Sequence, residues 1–191
     1  MKRTFFYLLF LFTVLEARDV PWLTEESIVF LDQYLKEHKD AKILEFGCGA
    51  STIWFSKRTK NLTSVEHALD WHYNTAVKIN QDPNCNPVNL IYRKTPYYSI
   101  CESLEKGSFD LILVDGRNRK GCIANAIQLL KPGGVLMLDN SERTYYFKVF
   151  DLMKNWETVI THQKKPDSCG FWYKNWQTRW WIKPKKELVK Q

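Results

Sequence analysis

Short segments with closely spaced apolar residues alternate along the chain with segments in which apolar residues recur every three or four positions. The short segments predict buried strands, and the wider spacing, as in Ile28, Leu31 and Leu35, predicts helices. Apolar strands that alternate with helices favour a parallel sheet covered on both faces. The predicted strands are residues 43–46, 62–66, 88–92, 109–116, 135–138, 156–161 and 176–182; the clearest predicted helices are 51–57 and 121–130, and Thr24 caps an earlier one.

The end of the chain shows a different pattern. Residues 176–182 alternate strictly, with Trp180 on one face and Trp181 on the other, and only a loop separates them from the strand before. Two strands without a crossover helix are expected to pair antiparallel, so we predict one antiparallel strand in an otherwise parallel sheet. The LKPGG segment at residues 130–134 is predicted to end the helix before it.

Length and charge favour one domain with distinct ends. The chain has 191 residues and a net charge of +7, with basic residues concentrated at both termini. Lys2 and Arg3 precede an apolar run at residues 5–15, so residues 1–17 are interpreted as a secretory signal or a membrane anchor. That segment would place the protein in the secretory pathway or at a membrane; without it we expect a cytoplasmic protein. Residues 18–191 are predicted to form a single domain.

The stretch AKILEFGCGASTIWF, residues 41–55, carries the first candidate site. Gly47 and Gly49 follow a predicted strand and precede a predicted helix, where the missing Cβ allows close contact with a ligand. Glu66 ends the second strand, at a distance from Gly47 that suits hydrogen bonds to ribose hydroxyls. Parallel sheets bind nucleotides at this edge, so a nucleotide cofactor is predicted.

Two nucleotide cofactors suit this pattern. A dinucleotide is held by GxGxxG, but Thr52 occupies the third glycine position here. Glu45 would repel a pyrophosphate, whereas it would accept a hydrogen bond from an ammonium group. The pattern therefore favours S-adenosylmethionine over a nicotinamide dinucleotide, and methyl transfer over an oxidoreductase.

Over residues 22–182 the chain resembles class I S-adenosylmethionine-dependent methyltransferases. LEFGCG resembles the family's first motif, SVEH its second-strand acid, and LKPGG a frequent loop; VDGRNRKGC, LDNSER and WQTRWW resemble a small subgroup of unassigned substrate. The resemblance implies a Rossmann-like doubly wound sheet of order 3-2-1-4-5-7-6 with strand 7 antiparallel. The cofactor-binding residues that it implies are Glu45, Gly47, Cys48, Gly49, Ser51, Glu66, His67 and Asp115.

Polar residues after the fourth and fifth strands are candidates for the reaction itself. Asp115 and Asp139 are the predicted catalytic acids. Together with Asn140 they resemble the Mg²⁺ site of catechol O-methyltransferase-like enzymes, in which oxygen ligands hold the cation. Two alternatives stay open: Arg117 or Arg119 pairs with the carboxylates in place of a metal, or Asp139 and Asn140 cap the next helix.

The acceptor is predicted by class only. DGRNR stands where enzymes that methylate base amines carry a proline-aromatic motif, which disfavours nucleic acid as a partner. We expect methylation of a hydroxyl or carboxyl oxygen on a small molecule, sugar or lipid, with arginines favouring an anionic one. The alternative is a non-catalytic binding module that retains the nucleotide-binding fold, with membrane association through the N-terminal segment.

Overall fold

In the computed structural model, which describes residues 20–164 and 175–185, strands and helices alternate along the chain. The strands are β1 (Ile43–Phe46), β2 (Leu62–Glu66), β3 (Asn89–Tyr92), β4 (Phe109–Val114), β5 (Leu130–Asp139), β6 (Glu157–Gln163) and β7 (Trp176–Ile182). The α-helices are α1 (Glu25–Glu37), α2 (Ala50–Ser56), α3 (Leu69–Gln81), α4 (Arg119–Ala126) and α5 (Phe147–Phe150). Segments of 3₁₀-helix cover Tyr97–Ser103, Ile127–Leu129, Thr144–Tyr146 and Asp151–Met153.

The strands form one sheet in the order β3-β2-β1-β4-β5-β7-β6. Strands β1 to β5 pair in parallel, and β7 pairs antiparallel with both β5 and β6. The predicted α/β fold, with its strand order and its single antiparallel strand, is confirmed. This order places β1 and β4 side by side at the centre, where strand order reverses and parallel sheets bind ligands.

The sheet separates two apolar clusters, one on each face. Leu44 and Phe46 of β1 contribute to one cluster, and Ile43 to the other. Helix α1 packs on the second face through the buried Leu31 and Leu35, which confirms its predicted stripe. Trp180 and Trp181 of β7 also lie on opposite faces of the sheet, because successive side chains of a strand point to opposite faces. Trp181 belongs to the first cluster and Trp180 to the second.

The LKPGG segment follows the end of a helix, as predicted, but it lies in a strand and not in a loop. The preceding α4 ends at Ala126 and a 3₁₀ turn follows it, so that strand β5 already begins at Leu130. Leu130 pairs with Phe109, and the register then shifts before the central part of the strand. Gly133, at φ +80°, donates its N–H to Lys183 O at 2.8 Å, which ties the irregular stretch to the end of β7.

Two further predictions concern the ends of the chain. Residues 1–17 lie outside the described residues, so the signal or anchor and the single-domain boundary stay predictions. Within residues 20–164 and 175–185, none of the helices has the length and apolar character needed to cross a membrane.

The cysteines at positions 48, 85, 101 and 122 are free thiols.

Candidate functional site

The carboxyl ends of β1, β2 and β4 meet at one edge of the sheet and are tied together by hydrogen bonds. Gly47 donates its N–H to Val65 O at 2.9 Å, and Asp115 donates its N–H to Phe46 O at 3.0 Å. Cys48 donates its N–H to Glu66 Oε2 at 2.9 Å. The structure therefore brings the predicted glycine loop, the second-strand acid and the fourth-strand acid into one place.

Gly47 is required by contact between two parts of the backbone. It has φ +99°, and a Cβ at this position would lie 2.6 Å from Gly116 Cα and 2.7 Å from Gly116 N. A Cβ on Gly116 would in turn collide with the Tyr97 hydroxyl. The close approach that the sequence predicted at Gly47 is thus to the β4 loop, which the glycine pair brings against the β1 loop.

Gly49 differs from Gly47 because the space beside it is open. A Cβ at Gly49 would have one neighbour within 4 Å among the described atoms, a ring carbon of Trp71 at 3.7 Å. Trp71 itself is 60% exposed. Gly49 therefore has open space on its Cβ side among the described residues, and its contact with the methionine part of S-adenosylmethionine stays a prediction.

Glu45 lies beneath the site and has no exposed surface. Ser51 Oγ donates to its Oε1, while Thr52 Oγ1 and Ser64 Oγ each donate to Oε2 at 2.6 Å. Burial raises the pKa of Glu45 to about 7, although these hydroxyls act in the opposite direction. The prediction that Glu45 contacts the amino acid end of the cofactor is therefore corrected: the carboxyl group supports the loop from below.

Ser51 and Thr52 are both part of this support. Thr52 Oγ1 accepts the Gly49 N–H at 2.9 Å and donates to Glu45, so it links the glycine loop to the buried carboxyl group. This role explains why a threonine occupies the position of the third glycine in the dinucleotide motif. Ser51 is buried with its hydroxyl directed to Glu45, which leaves its oxygen lone pairs as its remaining capacity for a ligand.

Glu66 occupies the tip of β2 as predicted. Its Oε1 accepts the backbone N–H groups of His67 at 2.8 Å and Ala68 at 2.7 Å, and its Oε2 accepts the Cys48 N–H. The residue is 4% exposed, and Oε2 retains a lone pair that can accept a further hydrogen bond. Glu66 therefore holds the glycine loop and keeps the capacity to accept one more hydrogen bond; its contact with ribose hydroxyls stays a prediction.

His67 and Tyr97 line the neighbouring part of the edge. His67 Nδ1 lies 2.8 Å from Glu66 Oε1 without hydrogen-bond geometry, and the His67 ring lies 5.2 Å from the Tyr97 ring. Tyr97 is buried and donates its hydroxyl to Arg117 O at 2.6 Å. Tyr97 is not among the site residues predicted from the sequence; the signal available is its position after β3, at the same edge of the sheet.

Cys48 is a buried, neutral part of the loop. Its thiol donates to Thr75 Oγ1 at 3.3 Å, and burial raises its pKa to about 12. A thiol with this pKa is protonated at neutral pH, so its side chain offers no nucleophile. The N–H that it donates to Glu66 is its structural contribution to the site.

Arg119 joins the predicted acids at the ends of β4 and β5. Its Nη2 lies 3.0 Å from Asp115 Oδ1, and its Nη1 lies 3.9 Å from Asp139 Oδ2 and 3.4 Å from Asn140 Oδ1. Of the two arginines that the sequence offered as partners of these carboxylates, the structure selects Arg119, since Arg117 is exposed. The guanidinium is almost fully enclosed, and Arg119 as a whole is 7% exposed.

The residues present do not fit the Mg²⁺ that was predicted. Mg²⁺ needs near-octahedral oxygen ligands at about 2.0–2.1 Å, whereas here the guanidinium stands among the candidate oxygens. Asn140 Oδ1 also accepts from Arg143 Nη2 at 3.0 Å, and Asp139 Oδ1 accepts from Trp176 Nε1 at 2.8 Å. The metal assignment of Asp115, Asp139 and Asn140 is therefore corrected.

Asp115 and Asp139 differ sharply in environment. The Asp115 side chain is 22% exposed and stands beside the glycine loop, whereas the Asp139 side chain is 4% exposed. Burial and the neighbouring Asp115 carboxylate raise the pKa of Asp139, whose Oδ1 also accepts from Thr178 Oγ1 at 3.0 Å. Asp139 is thus closed off from a substrate, and of the two predicted catalytic acids Asp115 is the one open to the crevice.

Comparison with known proteins gives a family match. The family described as "Methyltransferase domain" matches residues 44–141, which span β1 to the end of β5 and include the glycine loop and both acids. That match covers just over half of the chain. No curated protein matches it.

Solved structures share the fold at low identity. The cofactor-bound protein Rv0187 from MTB is 18% identical with a TM-score of 0.65, covering 90% of this chain and 86% of that one. A Staphylococcus aureus protein named for caffeoyl-CoA O-methyltransferase activity is 18% identical with a TM-score of 0.60, covering 91% and 90%. A SAM-dependent methyltransferase from Methanosarcina mazei is 15% identical with a TM-score of 0.54, covering 78% and 94%. The chain belongs to the methyltransferase domain family and is a class I S-adenosylmethionine-dependent methyltransferase.

Proposed function

We propose that this methyltransferase transfers a methyl group to an oxygen atom of a small anionic acceptor, with Asp115 as the general base. The observation that carries the proposal is the position of Asp115. Its N–H is bonded to the last residue of β1, its side chain is partly exposed, and the contact between Gly47 and Gly116 places it beside the cofactor loop. A carboxylate at this place stands where an acceptor must approach the transferred methyl.

The cofactor-binding residues are assigned by their places around the crevice. Gly47, Cys48 and Gly49 form the loop beside the methionine part, and Ser51 offers its oxygen lone pairs at the start of α2. Glu66 Oε2 accepts from a ribose hydroxyl, and the partly exposed His67 ring lies beside the ribose or adenine. Glu45 and Thr52 act through the loop that they hold.

The chemistry requires alignment more than activation. S-adenosylmethionine, when bound, supplies a methyl group on a positively charged sulfur that is already activated for in-line displacement. The protein orients the acceptor oxygen toward that methyl and removes water from around it. The Asp115 carboxylate accepts the proton that a hydroxyl acceptor loses, and Arg119 Nη2 holds this carboxylate in place from the side away from solvent.

Cationic residues around Asp115 support an anionic acceptor. Arg117 is exposed at the end of β4, and Lys120 Nζ lies 3.6 Å from the centre of the exposed Tyr145 ring. Arg143 lies on the β5 side. Positive charge on both sides of a crevice attracts carboxylates and phosphates, so a sugar, lipid or small metabolite that carries such a group is the acceptor we propose.

The test is transfer of isotope from methyl-labelled S-adenosylmethionine to fractionated small-molecule extracts by the full chain. We expect label in an anionic fraction, and a product in which mass spectrometry places the methyl on oxygen. Asp115→Asn should abolish transfer and retain cofactor binding, whereas the exposed Asp151→Asn should leave both unchanged. Cofactor binding without transfer to any fraction would favour the non-catalytic binding module instead, and a methyl found on nitrogen or carbon would contradict O-methylation.

A further inference from the structure

We infer that the guanidinium of Arg119 takes the position of a divalent cation at the site, so that this methyltransferase works without a metal. The inference rests on the proposed function, because it concerns the groups that hold the base Asp115. It assigns Arg119 as a positioning residue, since its contacts are with the protein side of the site.

The contacts of Arg119 are those of a bound cation. Its Nε donates to Gly116 O at 2.8 Å, its Nη2 donates to Asp115 O at 2.8 Å, and its Nη1 donates to Asp139 O. The side-chain oxygens of Asp115, Asp139 and Asn140 lie 3.0, 3.9 and 3.4 Å from the same guanidinium. Every one of these partners is an oxygen, and together they are carboxylate, amide and carbonyl groups from the ends of two adjacent strands.

The backbone around Arg119 is shaped to present these oxygens. Asn140, directly after β5, has φ +52°, and its Oδ1 accepts from both Arg119 and Arg143. Asn118, directly before α4, has φ +48°, so the chain turns sharply and the first residue of the helix reaches back over the strand end. Asparagine tolerates this left-handed conformation better than most residues.

A metal ion and Arg119 cannot both use these oxygens. A cation at about 2.0–2.1 Å from them would stand within a few ångströms of the positively charged guanidinium, which is buried and cannot turn into solvent without breaking its bonds to Gly116, Asp115 and Asp139. Arginine is suited to the exchange because its charge is permanent and its planar group bonds several oxygens at once. We therefore expect that the wild-type site does not bind a divalent cation.

The experiment is titration of the full chain with Mn²⁺ alone, followed by electron paramagnetic resonance of the free ion and by calorimetry. Wild type should bind no more Mn²⁺ ions per chain than an Asp115→Asn variant binds. Arg119→Ala vacates the oxygens and should gain one Mn²⁺ per chain, which the added Asp115→Asn change removes. Arg117→Ala, which deletes an exposed arginine two residues away, should behave as wild type.

Two results would overturn the inference. The first is one equivalent of Mn²⁺ that wild type binds and that Asp115→Asn loses. The second is an Arg119→Ala protein that has native circular dichroism and binds no Mn²⁺. If Arg119→Ala does not fold, the wild-type titration by itself still tests the inference. S-adenosylmethionine binding and methyl transfer are measured on the same wild-type sample, so that failure of the proposed function appears as absent binding or absent transfer whatever the Mn²⁺ result.

Discussion

Gly47 and Gly116 lie backbone against backbone, so close that a Cβ on Gly47 would come within 2.6 Å of the Gly116 Cα. This contact fixes the distance between the β1 loop, which is proposed to hold the cofactor, and the β4 loop, which carries Asp115. The Tyr97 hydroxyl packs against Gly116 and donates a hydrogen bond to Arg117 O. The two glycines of the GCG motif therefore differ in their physical reasons: Gly47 is required by the contact with the Gly116 backbone, whereas Gly49 has open space beside it, where we propose that the ligand binds.

Gly47→Ala is expected to destabilise the fold strongly. Alanine at a positive φ costs about 1–2 kcal/mol, and the overlap with the Gly116 backbone adds to this, so we expect a loss of about 3 kcal/mol or more in the free energy of unfolding. Gly107→Ala is the matched control, because Gly107 has φ +62° with nothing within 4 Å of its Cβ position. Urea denaturation measures both; equal losses in the two variants would show that the Gly116 contact is not tight.

Gly49→Ala should separate binding from stability. Gly49 has an extended φ of 160° and an open Cβ position, so we expect its free energy of unfolding to stay within about 0.5 kcal/mol of wild type. The added methyl would occupy the space proposed for the ligand, and overpacking of about 1–3 kcal/mol corresponds to roughly five-fold or more in affinity. Calorimetry with S-adenosylmethionine checks this, and unchanged affinity would place the ligand elsewhere along the loop.

Glu45→Gln should change how stability depends on pH. The folded pKa of Glu45, about 7, lies above its ordinary 4.5, so its contribution is fully present below 4.5 and is lost as pH rises from 4.5 to 7. Above 7 the loss is complete, and its size is on the order of 3 kcal/mol. Glutamine does not ionise and can donate to the same hydroxyls, so we expect Glu45→Gln to be less destabilised over this range.

The control for this experiment is Glu26→Gln, which removes an exposed carboxylate from the first turn of α1. Denaturation midpoints of the three proteins are compared at a series of pH values between 4.5 and 8. We expect Glu26→Gln to follow wild type. If the denaturation midpoint of Glu45→Gln changed with pH in the same way as that of wild type, folding would not raise the pKa of Glu45. That result would contradict the prediction.

The fold was predictable because its signals are local and repeated. The strands predicted at residues 62–66 and 109–116 match β2 and β4, the second of which ends two residues earlier, at Val114. The alternation at residues 176–182 matches β7, the antiparallel strand. The loop assignment of LKPGG differs from the structure for a physical reason: proline and glycine are typical of loops, but Leu130 pairs with Phe109 and the segment becomes part of β5.

The site was predictable in location and less so in detail. The ends of strands follow from topology, so Glu66, Asp115 and Asp139 were placed at one edge correctly. Burial was not readable from the motif: Glu45 is enclosed because three hydroxyls from α2 and β2 converge on it. Likewise, which arginine pairs with the acids depends on the left-handed turn at Asn118, which no local pattern announces.

Calorimetry of S-adenosylmethionine binding to wild type and Glu66→Ala tests the central claim most directly, with Glu102→Ala as the control for loss of an exposed acid. We predict one site per wild-type chain, weaker binding of NAD, and unchanged affinity in Glu102→Ala. Loss of hydrogen bonds to a charged group costs about 1.5–3 kcal/mol, so Glu66→Ala should bind roughly ten-fold or more weakly. No binding by wild type, or equal affinity in a folded Glu66→Ala protein, would contradict the account.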